Sequence, residues 1–151
     1  MPNLDPVARV KLLDHIGERT EVSVPAASLM PAGTPAYFDD DGCADIGAAD
    51  DADTARVYGL TVNGVVAANQ TVQIVHRGKV MLYDALGANV LDDLDYGDIV
   101  YLSDTAGRLS DAPGTIEIEF GMVVPFWASN PPEKALELDI AYISPAPVPG
   151  P

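Results

Sequence analysis

The sequence predicts an all-β domain, a small antiparallel β-sandwich or barrel-like fold with an N-terminal arm. Three observations carry this. Segments 115–124 and 136–142 alternate between apolar and polar residues, the pattern of half-buried antiparallel strands. Turn residues recur at near-regular spacing and cut the chain into about eight short apolar runs. No interval keeps a helical apolar period long enough for a βαβ crossover.

In chain order, residues 1–18 give the weakest signal. Asp5-Pro6 offers a helix start and Gly17 a stop. Val7, Val10, Leu13 and Ile16 recur every third residue, which fits a helix loosely and a strand no better. The expectation is an arm that orders only on another surface. The β domain is expected over 19–144. Val22 and Val24 alternate with polar neighbours until Pro25, which lacks a donor for a ladder. Pro31-Ala32-Gly33 reads as a turn and Pro35–Phe38 as a strand. Asp39-Asp40-Asp41-Gly42 is a hairpin turn leading into a return strand over 43–47. An acidic loop follows to Asp53, then a strand from Arg56 to Val62 and bends at Gly64 and Asn69.

Thr71–His76 is expected to place Val72, Ile74 and His76 on one face, with Arg77-Gly78 turning the chain into Lys79–Tyr83. Asp92 to Gly97 is an acidic connection, Ile99–Leu102 an apolar strand, and 103–114 turn and loop. In the next strand Ile116, Ile118, Phe120, Met122 and Val124 share a face. In the last, Leu136, Leu138, Ile140 and Tyr142 do so, with Glu137 and Asp139 opposite. Residues 145–151 carry four prolines and read as an extended tail.

A chain of 151 residues buries roughly 70% of its unfolded surface, so it needs neither metal nor disulfide for a core. Eight Lys and Arg against 23 Asp and Glu give a formal charge of −15. Such a surface repels phosphate backbones and anionic membranes, so neither nucleic acid nor membrane is an expected partner. It favours solubility at high concentration. The lone Cys43 cannot form an internal disulfide. The N-terminal residues lack a signal-peptide pattern, and no apolar run reaches membrane-spanning length.

The chemistry-bearing residues point away from catalysis. His76 reads as a core-rim imidazole without a second ligand at useful spacing, and His15 lies in the arm. No serine sits in a nucleophile elbow. The aspartates around Gly42 invite a Ca²⁺ reading, but with Gly42 in the sixth position of an EF-hand loop, Tyr37 and Ala48 would fall at ligand positions one and twelve. No cofactor, catalytic residue or metal ligand is expected. Carboxylates around Cys43 disfavour a thiolate.

Residues 97–111, Gly97-Asp98-Ile99-Val100-Tyr101-Leu102-Ser103-Asp104-Thr105-Ala106-Gly107-Arg108-Leu109-Ser110-Asp111, form a strand followed by a compact loop held by Ser and Asp side chains on local amides. This segment resembles the "V-Y-L-S-D-T-x-G" stretch of tailed-bacteriophage capsid decoration proteins of the β-tulip-like kind. Val24-Pro25-Ala26, Val57-Tyr58-Gly59-Leu60-Thr61 and Phe120-Gly121-Met122-Val123 resemble other segments of that family. The resemblance spans about residues 22–143. It implies a structural, non-enzymatic virion protein on the outer capsid surface, made in the host cytoplasm. It further implies binding to the major capsid protein, commonly as a homotrimer, to stabilise the expanded shell.

The arm is the expected attachment element and is expected to be dispensable for the fold. Arg9, Lys11 and Arg19 make it less acidic than the body, and Leu12, Leu13 and Ile16 offer apolar contacts. The alternative is a receptor- or glycan-binding β-sandwich module of a fibre or baseplate. Such a module would show exposed aromatics, whereas Trp127 beside Pro125 and Phe126 reads as a core plug or subunit contact.

Overall fold

The structure, a computed structural model, describes residues 3–13, 20–127 and 130–142. The described residues contain no helix, and the chain forms one antiparallel sheet curled into a half-barrel. Its strands are β1 (Arg9–Leu12), β2 (Thr20–Pro25), β3 (Pro35–Phe38), β4 (Ala44–Ile46), β5 (Gly59–Thr61), β6 (Thr71–Tyr83), β7 (Ile99–Leu102), β8 (Leu109–Ser110), β9 (Ile118–Phe126) and β10 (Glu133–Tyr142). The order across the sheet is β4-β3-β5-β6-β10-β9-β7-β8, and β1 and β2 also pair with β6.

The long strand β6 organises the fold. β2 pairs with its first half and β1 with its last residues, Leu12 facing Val80. β5 and β10 pair with it as well. The turn expected at Arg77-Gly78 is absent: the strand runs through it, because both residues are paired to β10. Gly78 takes φ +125°, a value side chains resist. Beside it the register against β2 slips between Thr20 and Glu21. The slip changes which face is buried. Val75, Val80 and Leu82 all reach the main core, although 75 and 80 differ in parity.

A second bulge overturns the face expected for β9. Ile118, Phe120 and Val123 point into the main core, while Met122 is 43% exposed and Val124 packs on the other side. The register shifts against both β7 and β10 at Phe120, so every later side chain of β9 changes face. Gly121 sits at this point against the backbone of Glu137, where a Cβ would overlap the carbonyl. β10 keeps the expected alternation: Leu136 and Leu138 are buried, Glu137 and Asp139 exposed. The expected strand over 56–62 shortens to β5, and the two-residue β8 lies within the expected loop.

The acidic turn after β3 is an Asx turn. Asp39 Oδ1 accepts the amides of Asp41 and Cys43 at 3.0 and 2.9 Å, and Gly42 supplies φ +80°. Beyond β4 the chain crosses to the far end of the sheet. Gly107 N donates to Gly47 O, Ala49 N to Ser103 O and Ile116 N to Ala49 O, each at 2.9 Å. These bonds lace one end of the half-barrel to the other.

Residues 3–13 correct the expectation of a free arm. Asn3 bridges Ser110, Leu4 N donates to Leu109 O, and Arg108 Nη2 reaches Leu4 O at 2.5 Å. The segment then passes over Gly33, where Val7 occupies the space a Cβ would need, and joins β6 as β1. Leu4, Val10 and Leu13 are buried. Residues 3–13 therefore form a strap from β8 to β6 that supplies part of the core. Residues 14–19 and the tail 145–151 lie outside the described residues.

Candidate interaction face

β1, β6, β10 and β9 lie side by side, and their register fixes which outward side chains are neighbours. At one end Arg9 stands opposite Tyr83 and Phe126 opposite Glu133, with Asn89 bridged to Tyr83 and bonded to Lys134 O. Next, Lys11 stands opposite Met81 and Val124 opposite Ala135, and Met81 and Ala135 share one cluster. A third row sets Met122, Glu137 and Lys79 beside Leu13, whose amide donates to Lys79 O at 3.1 Å. Ile99 of β7 extends that row past Met122. Directly opposed side chains on one face are the closest neighbours a sheet provides.

The middle of the face is apolar. Met81, Ala135 and Leu13 are buried in a satellite cluster edged by Tyr83, Val124 and Phe126. Tyr83 hydroxyl points at Met81 Sδ, 3.6 Å away. Charged groups ring this centre. Arg9 lies 4.3 Å over the Tyr83 ring, a cation–π contact that uses the ring's negative face. Burial raises the Tyr83 pKa, Glu133 raises it further, and Arg9 opposes them. Arg77 pairs loosely with Asp139 at 3.9 Å, one step beyond Lys79.

Four of the eight basic residues, Arg9, Lys11, Arg77 and Lys79, thus stand on one face with three carboxylates, Glu133, Glu137 and Asp139. The patch is close to neutral on a chain of formal charge −15.

The structure divides the predicted contact residues. Arg9 and Lys11 are exposed and come together on this face. Leu12 turns the other way and packs on the main core. Leu13 is only 2% exposed, so it supports the face from beneath and has no surface to offer a partner. Ile16 and Arg19 lie outside the described residues, as does His15. The sequence reading missed Lys79, Glu137 and Met122. Their signal was alternation through Arg77, Lys79, Met81 and Tyr83, concealed by the turn expected at Gly78.

Two further groupings stand apart. Phe38 packs at a tilt of 41° on Tyr58, centroids 5.1 Å apart, and Tyr58 stacks on His76 at 4.3 Å. His76 Nδ1 lies 2.5 Å from Tyr58 O, which assigns the proton to Nδ1 because a carbonyl only accepts. His76 is half-buried, as a core-rim imidazole. Beside Phe38, a cleft of about 320 Å³ is lined by Tyr37, Asp53 and Arg56. Trp127 is 69% exposed, so it does not plug the core. Burial and the charges of Asp39 and Asp41 raise the pKa of Cys43. No group of three or more His, Cys, Asp or Glu gathers as a metal site among the described residues.

The loop after β7 is built as its composition predicts. Thr105 N donates to Ser103 Oγ at 3.0 Å, and Asp104 takes both the amide and the hydroxyl of Thr115 at 2.8 Å. Ser103 also donates to Asn3 Oδ1 at 2.5 Å. The segment that carries the family resemblance is therefore the socket for the N-terminal strap. No protein-family model matches the chain, and no curated protein matches it.

Proposed function

We propose that this chain is a structural virion protein that binds the outer surface of a tailed-phage capsid and stabilises the expanded shell. It docks through the outer face of β1, β6, β10 and β9. The observation that carries this reading is a near-neutral face on an otherwise strongly acidic body, with Met122 exposed and Tyr83, Val124 and Phe126 half-buried among its charges. Such a face has the mixture of apolar, aromatic and charged groups found at protein interfaces. The acidic remainder keeps free copies soluble and sets which side meets the shell. Binding only the assembled lattice stabilises it by mass action. Attachment as a homotrimer multiplies weak single contacts to the major capsid protein.

The test is co-sedimentation with expanded capsids of the parent phage that lack this chain. Lys11→Glu combined with Lys79→Glu adds four negative charges' worth of change to the face and leaves the core untouched. Rim charges act mainly through encounter rate and salt dependence, so binding should fall about tenfold or more and the wild-type salt dependence should change. Unaltered binding would assign attachment to another surface.

A second reading is a glycan-binding module of a fibre or baseplate. It is favoured by Phe38, 39% exposed, packed at a tilt against Tyr58 beside the cleft that holds Arg56 and Asp53. Binding on a glycan array that Phe38→Ala abolishes would establish it in place of the first.

A further inference from the structure

Where β10 begins, a cleft of about 510 Å³ opens against the loop that follows β6. Tyr83, Asn89, Asp92, Tyr96, Glu133 and Lys134 are among the residues that line it. Its volume lies inside the roughly 300–1,000 Å³ usual for small-molecule sites. Bonds across the cleft hold its shape. Tyr96 hydroxyl donates to Pro132 O at 3.2 Å, and Asn89 Nδ2 donates to Lys134 O at 2.8 Å. Lys134 Nζ donates to the carbonyls of Asp92 and Leu94. The loop itself is closed by Asp84, whose Oδ1 accepts the amides of Leu86 and Ala88, both at 2.9 Å. Walls already formed need little ordering when a ligand enters.

Three properties of the cleft select the class of ligand. The first is hydrogen-bonding sense. Tyr96, Asn89 and Lys134 turn their donors to the protein itself, and Tyr83 hydroxyl points at Met81 Sδ, 3.6 Å away. The Asp92 and Glu133 carboxylates have no hydrogen-bond partner among the described residues, and a carboxylate only accepts. The ligand must therefore bring donors. The second property is charge. Asp92 and Glu133 are balanced by Lys134 in the cleft and by Arg9, 4.3 Å over the Tyr83 ring. An anion would meet the two carboxylates. A cation would find Lys134 5.6 Å over the Tyr96 ring and Arg9 over Tyr83, so each ring already holds a cation. A neutral ligand meets neither obstacle. The third property is the rings themselves. Tyr83 and Tyr96 give flat apolar surface, and Tyr96 is 46% exposed. The weakly positive C–H groups of a saturated ring suit the negative face of a phenol.

We infer that this cleft is a carbohydrate site that takes a neutral pyranose. A pyranose is uncharged, carries several hydroxyl donors and presents a face of C–H groups. Its hydroxyls donate to Asp92 and Glu133, and its C–H face lies on Tyr96. The cleft shares no lining residue with the one beside Phe38. The inference therefore stands apart from the capsid reading and from the Phe38 reading alike.

NMR of the isotope-labelled full chain tests it, with the methyl glycosides of glucose, galactose, mannose and N-acetylglucosamine as probes. At least one should shift the amides of Asn89, Tyr96 and Glu133 saturably, with a dissociation constant in the millimolar range. Choline chloride and sodium sulfate, the charged controls, should leave those amides unmoved. Tyr96→Ala should weaken binding about tenfold, whereas Tyr96→Phe, which keeps the ring, should bind like the wild type. Glu133→Gln, at an exposed position, removes the charge of one acceptor and should weaken binding about threefold or more. Phe38→Ala should bind like the wild type. No saturable shift with any of these sugars, or shifts confined to the surroundings of Phe38, would overturn the inference. So would a response to choline at the same amides, which would make the cleft a cation site. If Tyr96→Ala misfolds, Glu133→Gln decides alone, and binding it leaves unweakened counts against the site.

Discussion

Leu13→Ala distinguishes a strap that belongs to the core from an appendage. Leu13 is 2% exposed and packs with Met81 and Ala135, themselves 2% and 0% exposed. The change removes three carbons. At about 0.8 kcal/mol per buried carbon the transfer loss is about 2.4 kcal/mol. The cavity left behind adds to this, less whatever Met81 recovers by moving in, since methionine adapts its shape. The expected cost is about 2–4 kcal/mol, a large share of the roughly 5–15 kcal/mol that holds a domain folded. At about 2–4 °C per kcal/mol for a chain of this size, the melting temperature should fall by about 4–16 °C. Lys11→Ala, two residues earlier and exposed, should stay within about 0.5 kcal/mol. Thermal unfolding of both variants by circular dichroism reads the contrast. A Leu13→Ala melting temperature equal to that of the wild type would refute the strap as part of the core and restore the free arm.

Gly121→Ala should cost about 2–3 kcal/mol, read as a lower urea midpoint, because its Cβ meets the backbone carbonyl of Glu137 and a paired strand cannot give way like a side chain. Arg108→Ala removes the donor to Leu4 O; it should destabilise by about 1 kcal/mol and speed hydrogen exchange at the Leu4 amide, with little change at Val80. Burial raises the pKa of Tyr37, Tyr83 and Tyr101 above 10.0, reinforced by Asp45, Glu133 and Glu119 respectively. A raised phenol pKa leaves stability intact below the unfolded value and erodes it as pH climbs through the folded one. Melting temperature should therefore drop above about pH 10, and replacing the three tyrosines with phenylalanine should flatten that drop.

Much of the fold was legible because period-two alternation is a local property. β10 shows this: Leu136 and Leu138 point in, Glu137 and Asp139 out, as written in the sequence. Faces were lost wherever a bulge intervened. The slip at Phe120 arises from pairing with β7 on one side and β10 on the other, and nothing in the neighbouring residues announces it. Gly78 looked like a turn because glycine with φ above zero serves turns and bulges alike. The N-terminal spacing of three was ambiguous for a specific reason. Val10 enters the main core and Leu13 the satellite cluster on the opposite face, so both faces of one short segment are buried. Of the candidate face, the charges of Arg9 and Lys11 could be read early. Lys79, Glu137 and Met122 could not, because they meet only through the register of β10 with β6 and with β9.

The strap also sets an order of events on the ribosome. Leu4 leaves the exit tunnel long before its partners, since its amide pairs with Leu109 and its carbonyl with Arg108. β1 waits for Val80 to Tyr83. At roughly 5–20 residues per second, the hundred-odd residues between Leu4 and its partners take about 5–20 s to be made. Until their own partners emerge, Leu4, Val10 and Leu13 have no native surface to cover them, and the sheet that will receive them stays unclosed. The strap is thus made well before the segments that seat it, and the emerging chain carries these apolar side chains bare in the meantime.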